Sequence, residues 1–122
     1  MNTSVLIVGA GQLGSRYLQS LKKVKSSLNI YVVDINQNSL NIAKERWDEI
    51  EKYRHHTCQF FKRLPKRQNI FDLVIISTTA DVRLGIIKKI IELKKVKYWI
   101  LEKILAQSLA DLEEIKKIAI KT

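Results

Sequence analysis

Three sets of residues in this chain have the types and spacing to do chemistry: the glycines Gly9, Gly11 and Gly14, the carboxylate of Asp34, and the ionisable pair Glu102-Lys103. The glycines sit in the run Val5-Leu6-Ile7-Val8-Gly9-Ala10-Gly11-Gln12-Leu13-Gly14. Four aliphatic residues without polar alternation predict a strand buried on both faces, as in a parallel sheet. Each glycine then has a mechanical task. Gly9 permits the tight turn out of the strand, Gly11 lets the backbone approach a pyrophosphate, and Gly14 lets the next helix pack closely on the strand. That helix points its free N–H groups and positive dipole end at the phosphates. Gln12 and Leu13, between the glycines, are expected to line the same turn. Asp34 stands 20 positions beyond Gly14. At that spacing a carboxylate accepts hydrogen bonds from the ribose hydroxyls of an adenosine. It also repels a 2′-phosphate, and the next two positions hold Ile35 and Asn36 rather than arginine. The sequence therefore favours NAD over NADP. A glycine pattern alone is a weak signal; this one follows a strand, opens a helix and is answered by an acid.

Two further stretches fall where strands end. Ser77-Thr78-Thr79-Ala80 closes the fourth expected strand. Small hydroxyl residues leave room there for a nicotinamide ribose, and an ordinary strand-to-helix turn uses the same residue types; both readings stand. Glu102-Lys103 closes the fifth. An ionisable pair at the carboxyl edge of a buried strand suits a ligand crevice, where Lys103 can polarise a substrate oxygen or move a proton. His55, His56 and Cys58 match no common zinc spacing, and no second ligand pair accompanies them. No Ser-His-Asp or Cys-His arrangement is recognisable.

The elements that must position these groups alternate. A helix from about Gln12 to Val24 places Leu13, Tyr17, Leu21 and Val24 on one face. A second strand spans Asn29 to Asp34. A second helix starts near Gln37 and repeats Leu40, Ala43, Trp47 and Ile50, with Trp47 read as core. A short strand is expected over Thr57 to Phe61, then the basic loop Lys62, Arg63, Lys66 and Arg67 around Pro65, for which phosphate contact is one reading and a solvated loop the preferred one. Phe71 to Ser77 forms the fourth strand. Asp81 is placed to cap a helix running to about Leu93, with Ile86, Ile87, Ile90 and Ile91 inward. Lys97 to Glu102 is the fifth strand, and Ser108 with Asp111 opens a last helix. This alternation predicts an α/β fold: a doubly wound parallel sheet of the Rossmann type, strand order 3-2-1-4-5, helices on both faces, and a crevice at the carboxyl ends of strands one and four.

With 122 residues the chain reads as one domain, residues 1–122. The formal charge is +10, yet the lysines are spread over the helices, as Lys22, Lys44, Lys88, Lys94 and Lys116 show. No stretch interleaves bases with aromatics as an RNA-binding sheet does. We read the charge as solvated helix faces and expect no nucleic-acid partner. Apolar runs are too short for a membrane span, and the N-terminus carries no signal pattern. The single Cys58 excludes an internal disulfide and fits a cytoplasmic location.

Together, Val-Gly-Ala-Gly-Gln-Leu-Gly, Val-Val-Asp34, Ile-Ser-Thr-Thr and Leu-Glu102-Lys103 resemble the N-terminal domain of the glucose–fructose oxidoreductase / inositol dehydrogenase / rhizopine-catabolism (Gfo/Idh/MocA) oxidoreductases. The resemblance covers nearly the whole chain. It implies NAD-linked hydride transfer on a sugar, sugar-nucleotide or cyclitol substrate. It also implies Lys103 beside nicotinamide and substrate, and Glu102 with it at the cofactor. The family's proline after Glu-Lys is here Ile104. Its Thr-Pro-Asn-x-x-His is here Thr78-Thr79-Ala80-Asp81-Val82-Arg83. The second domain that binds substrate in the family has no counterpart in these residues, so the partners expected are a dinucleotide and, through that absent domain, a small-molecule substrate. A different class fits the same residues: a stand-alone regulatory module that binds NAD or another adenine nucleotide without chemistry. A methyltransferase fits less well, because its glycine loop commonly follows an acidic residue and here Leu6-Ile7-Val8 precede it.

Overall fold

The structure is a computed structural model that describes residues 3–24, 27–49, 56–78 and 80–101, leaving aside the side chains of residues 12–15, 80 and 81. Its elements run β1 (Thr3–Val8), α1 (Gln12–Lys22), β2 (Leu28–Val33), α2 (Gln37–Asp48), β3 (Thr57–Phe61), β4 (Ile70–Ile76), α3 (Ala80–Leu93) and β5 (Lys95–Leu101). The expected Ser108 helix lies outside the described residues, as do Thr79, Glu102 and Lys103.

The five strands form one sheet in the order β3-β2-β1-β4-β5, and every pairing is parallel. This is the predicted Rossmann order. β1 lies at the centre, with Val5 in register with Ile30 on one side and Leu73 on the other. Side chains alternate across a strand, and both faces of β1 are covered. Val5 and Ile7 pack with Ile30, Val32 and Ile75 beneath Leu18 of α1 and Leu40 and Ala43 of α2. Leu6 and Val8 pack with Val33, Val74 and Ile76 against Ile87 and Ile90 of α3. Covering both faces is why the strand shows no polar alternation. Each such fully buried aliphatic side chain contributes about 1.5–3 kcal/mol.

Element ends differ from the sequence expectations: β2 and β4 each begin and end one residue earlier, at Leu28–Val33 and Ile70–Ile76, and three further ends move. α1 stops at Lys22, and Val24 lies beyond it, 38% exposed rather than on the inward stripe. The N–H groups of Lys23 and Val24 turn back to the carbonyls of Ser20 and Leu21 and tighten the last turn. α3 already begins at Ala80, which puts Asp81 inside the first turn instead of at the cap. β5 begins at Lys95, whose N–H bonds the Asn69 carbonyl. Trp47 is core as expected, packed against the α1–α2 side of the sheet.

Two of the lysines read as solvated are buried. The Lys22 ammonium lies 4.5 Å from the centre of the Trp47 ring and donates to the Trp47 carbonyl. The Lys94 ammonium donates to the Pro65 carbonyl at 2.6 Å, and desolvation lowers its pKa. In both, the residue is buried while the ammonium head reaches a main-chain carbonyl. His56 is a strut. Its Nδ1 accepts from Leu28 N at 3.1 Å, so Nε2 carries the proton and donates to Val24 O at 2.8 Å.

The amino end of the sheet is fastened by side chains. Ser4 N donates to Asp72 Oδ2 at 2.8 Å, Ser4 Oγ donates to Ile70 O at 3.1 Å, and Lys97 Nζ lies 3.1 Å from Asp72 Oδ1. The Ser4 N–H, then the Lys97 ammonium, hold the Asp72 carboxyl below the usual carboxylate range. A depressed folded pKa means stabilisation that is present above the unfolded value, about 3.9, and lost as pH falls through the folded one. Asp72→Asn should therefore cost about 1 kcal/mol near pH 7. Its urea midpoint should approach that of the parent at pH 3; an equal gap at both pH values would refute the assignment.

Burial also pushes the Cys58 thiol up to about 12, with Lys22 lowering it and Asp48 raising it. In the folded chain Cys58 should resist iodoacetamide at pH 8 and react readily in 8 M urea. Equal rates in the two conditions would mean the thiol is accessible.

Candidate dinucleotide site

The site is built where β1, β2 and β4 end. β1 leaves the sheet at Gly9, whose φ of +98° is a conformation L side chains rarely adopt. Gly9 N donates to Val33 O at 2.9 Å, and Ser77 N donates to Val8 O at 2.9 Å, so the turn stays bonded to both neighbouring strands. A Cβ on Gly9 would stand 3.0 Å from Thr78 N and 3.1 Å from Ser77 Oγ. Gly11 differs. It is the N-cap of α1, with φ −65°, and a Cβ there would meet nothing within 4 Å. Among the described residues no side chain caps this helix start, and its first turn holds no acidic residue. A helix start of this kind, with free N–H groups and no cap, suits an anion.

Asp34 joins this loop to the end of β2. Its Oδ2 accepts from Ala10 N at 2.8 Å and its Oδ1 accepts from Asn36 N at 2.8 Å. Asn36 in turn caps α2, accepting from Ser39 N at 3.1 Å. The aspartate thus starts the turn and also fixes the glycine loop. Each carboxylate oxygen has a lone pair left for a hydroxyl. Asp34 N donates to Phe61 O at 3.0 Å, which sets the residues after β3 beside it.

The Ser77 hydroxyl donates to Gly9 O at 2.6 Å and so belongs to the turn. Thr78 Oγ1 is buried without a hydrogen-bond partner among the described residues. The Thr78 carbonyl accepts from Arg83 Nη2 at 3.0 Å, and Arg83 is only 1% exposed. Arg83 holds the start of α3 against the end of β4, which the sequence did not reveal.

A cavity of about 620 Å³ opens along this edge. Gly9, Asp34, Ile35 and Thr78 line one side, and Val82, Ile86 and Ile90 of α3 give it an apolar wall. Lys62, Arg63 and Lys89 complete the lining. The structure thus brings Gly9, Gly11, Asp34, Ser77 and Thr78 to one edge and places Gln12, Leu13 and Gly14 in the first turn of α1. Lys62 and Arg63, read from sequence as a solvated loop, belong to the lining. The expected strand order held the signal: β3 lies beside β2, so the residues after Phe61 neighbour Asp34. Among the described residues no group of three His, Cys, Asp or Glu side chains is placed to hold a metal, and no helix is long and apolar enough to cross a membrane.

A parallel sheet in this order, with a glycine turn, an uncapped helix start and an acid closing β2, defines a Rossmann domain of the dinucleotide-binding type. The sequence matches the family described as "Oxidoreductase family, NAD-binding Rossmann fold" (Gfo/Idh/MocA) over residues 3–122, and the chain belongs to that family. No curated protein matches the sequence. Solved structures share the fold. An oxidoreductase from Agrobacterium radiobacter, in complex with NAD+, L-tartaric acid and magnesium, superposes with a TM-score of 0.75 at 18% identity, over 99% of this chain and 33% of that one. Malate dehydrogenase from Salinibacter ruber gives 0.69 at 14% identity, over 96% and 41%. A putative methyltransferase from Thermoplasma acidophilum gives 0.61 at 16% identity, over 96% and 49%. The chain spans a third to a half of the length of these structures.

The two loop glycines should separate in stability. Gly9→Ala forces a side chain into the left-handed region and against Thr78 N, at a cost of about 2 kcal/mol or more. Gly11→Ala enters open space and should change stability by less than about 0.5 kcal/mol. Urea denaturation of both variants checks this; equal losses would show that the turn is not constrained as described.

Proposed function

We propose that this chain is the NAD-binding domain of an oxidoreductase acting on a sugar, sugar nucleotide or cyclitol. The carrying observation is that Asp34 and the glycine loop are bonded into one cradle at the mouth of the cavity. The residues present fit the cofactor. Open space at Gly11 and the bare start of α1 suit a pyrophosphate, Asp34 has acceptor capacity for ribose hydroxyls, and the Val82–Ile86 wall suits an adenine face.

Bound NAD supplies the hydride acceptor. The chain's residues position it. Backbone N–H groups at Gly11, Gln12, Leu13 and Gly14 hold the phosphates, and Asp34 accepts hydrogen bonds from the adenosine ribose hydroxyls. Ser77, Thr78 and Thr79 border the nicotinamide half, with Ser77 acting through the Gly9 carbonyl. Lys103, next to Glu102 in the chain, orients the substrate oxygen and carries its proton. Family resemblance supports those last two roles and the substrate class. Substrate contacts come from a second domain, so this stretch binds cofactor without turnover. A cytoplasmic setting completes the reading.

Titration with NADH, followed by its fluorescence, tests the proposal. Saturable binding is expected for the folded chain, and none up to millimolar NADH would end it. Asp34→Ala should weaken binding about tenfold or more, since a hydrogen bond to a charged group contributes roughly 1.5–3 kcal/mol. Because Ala10 and Asn36 also lose their acceptor, the variant's fold is checked by urea denaturation in parallel.

A further inference from the structure

The next inference rests on that reading and concerns the same cavity. We infer that Lys62 and Arg63 form a subsite for a 2′-phosphate, so that the site takes NADP as well as NAD, with a preference set by ionic strength. The residues that follow Asp34 in sequence do not supply such a subsite: Ile35 is apolar and 87% exposed, and the Asn36 side chain is engaged in capping α2. The basic pair arrives from the neighbouring strand instead. Asp34 N bonds Phe61 O at 3.0 Å, and the two residues after Phe61 line the same cavity as Asp34. Lys89 faces into that cavity from α3. Among the described residues, the lining therefore holds three cations against one carboxylate. Both oxygens of that carboxylate already accept a backbone N–H at 2.8 Å, which draws off part of the charge a phosphate meets. A phosphate monoester carries nearly two negative charges at neutral pH, and a guanidinium grips it with two parallel hydrogen bonds.

Such a subsite is mostly exposed, so salt weakens it. The ratio of dissociation constants, NADPH over NADH, should stay below about ten at 20 mM salt and rise several-fold at 300 mM. Lys62→Gln with Arg63→Gln should raise the low-salt ratio about tenfold. Lys66→Gln with Arg67→Gln removes the same charge from the same loop, at positions outside the cavity, and should leave the ratio in place. The affinity for 2′,5′-ADP against 5′-AMP should follow the same pattern without the nicotinamide half. If both double variants move the ratio equally, or neither does, the subsite is wrong. If the folded chain binds NADH but not NADPH at low salt, the subsite is wrong and the NAD assignment survives. Failure to bind either dinucleotide overturns both.

Discussion

The hydrogen bond from Ala10 N to Asp34 Oδ2, 2.8 Å long, is the contact on which the ligand edge depends. It joins the loop after β1 to the residue that closes β2, adding a side-chain tie to the backbone bond from Gly9 N to Val33 O. The bond forms only if the chain turns sharply at Gly9, and that turn is held from the other side by the Ser77 hydroxyl on the Gly9 carbonyl. A carboxylate, a glycine and a serine from three strands fix one backbone path. The geometry offered to a phosphate or a ribose is a by-product of that path, set before any ligand arrives.

The two ends of the sheet are organised differently. At the amino end, Ser4, Asp72 and Lys97 satisfy one another, and the result is stability. At the carboxyl end, among the described residues, polar groups retain capacity: an uncapped helix start, lone pairs on Asp34, and the buried Thr78 hydroxyl. In open α/β sheets ligands bind outside the carboxyl ends of the strands, and the contrast here shows why in physical terms. Backbone donors exposed by the strand-to-helix turns lie only on that side.

Most of the architecture was legible in the sequence because it depends on local signals. The apolar run before Gly9, the Asp34 spacing and the helical repeats gave the element order and strand order. What escaped were contacts between residues remote in sequence. Lys22 and Lys94 read as surface charges because their carbonyl partners, Trp47 and Pro65, lie 25 and 29 residues away. Lys62 and Arg63 read as loop because their neighbour Asp34 is on another strand. Arg83 marked a departure from a family pattern, and nothing local indicated that its guanidinium would be buried. Asp81 was misplaced for a simpler reason: a good capping residue type also occurs inside a first turn, and α3 begins at Ala80.

The connection from β3 to β4 is short and tied down. Lys94 holds Pro65 O, Tyr31 Oη donates to Gln68 at 3.1 Å, and Lys95 N holds Asn69 O. Only three residues, Lys62 to Leu64, separate the end of β3 from the first of these anchors. These three bonds oppose any lifting of the backbone that carries the basic side chains. A loop anchored in this way implies that exchange of an occupant depends on the lifetime of its direct contacts rather than on an opening step.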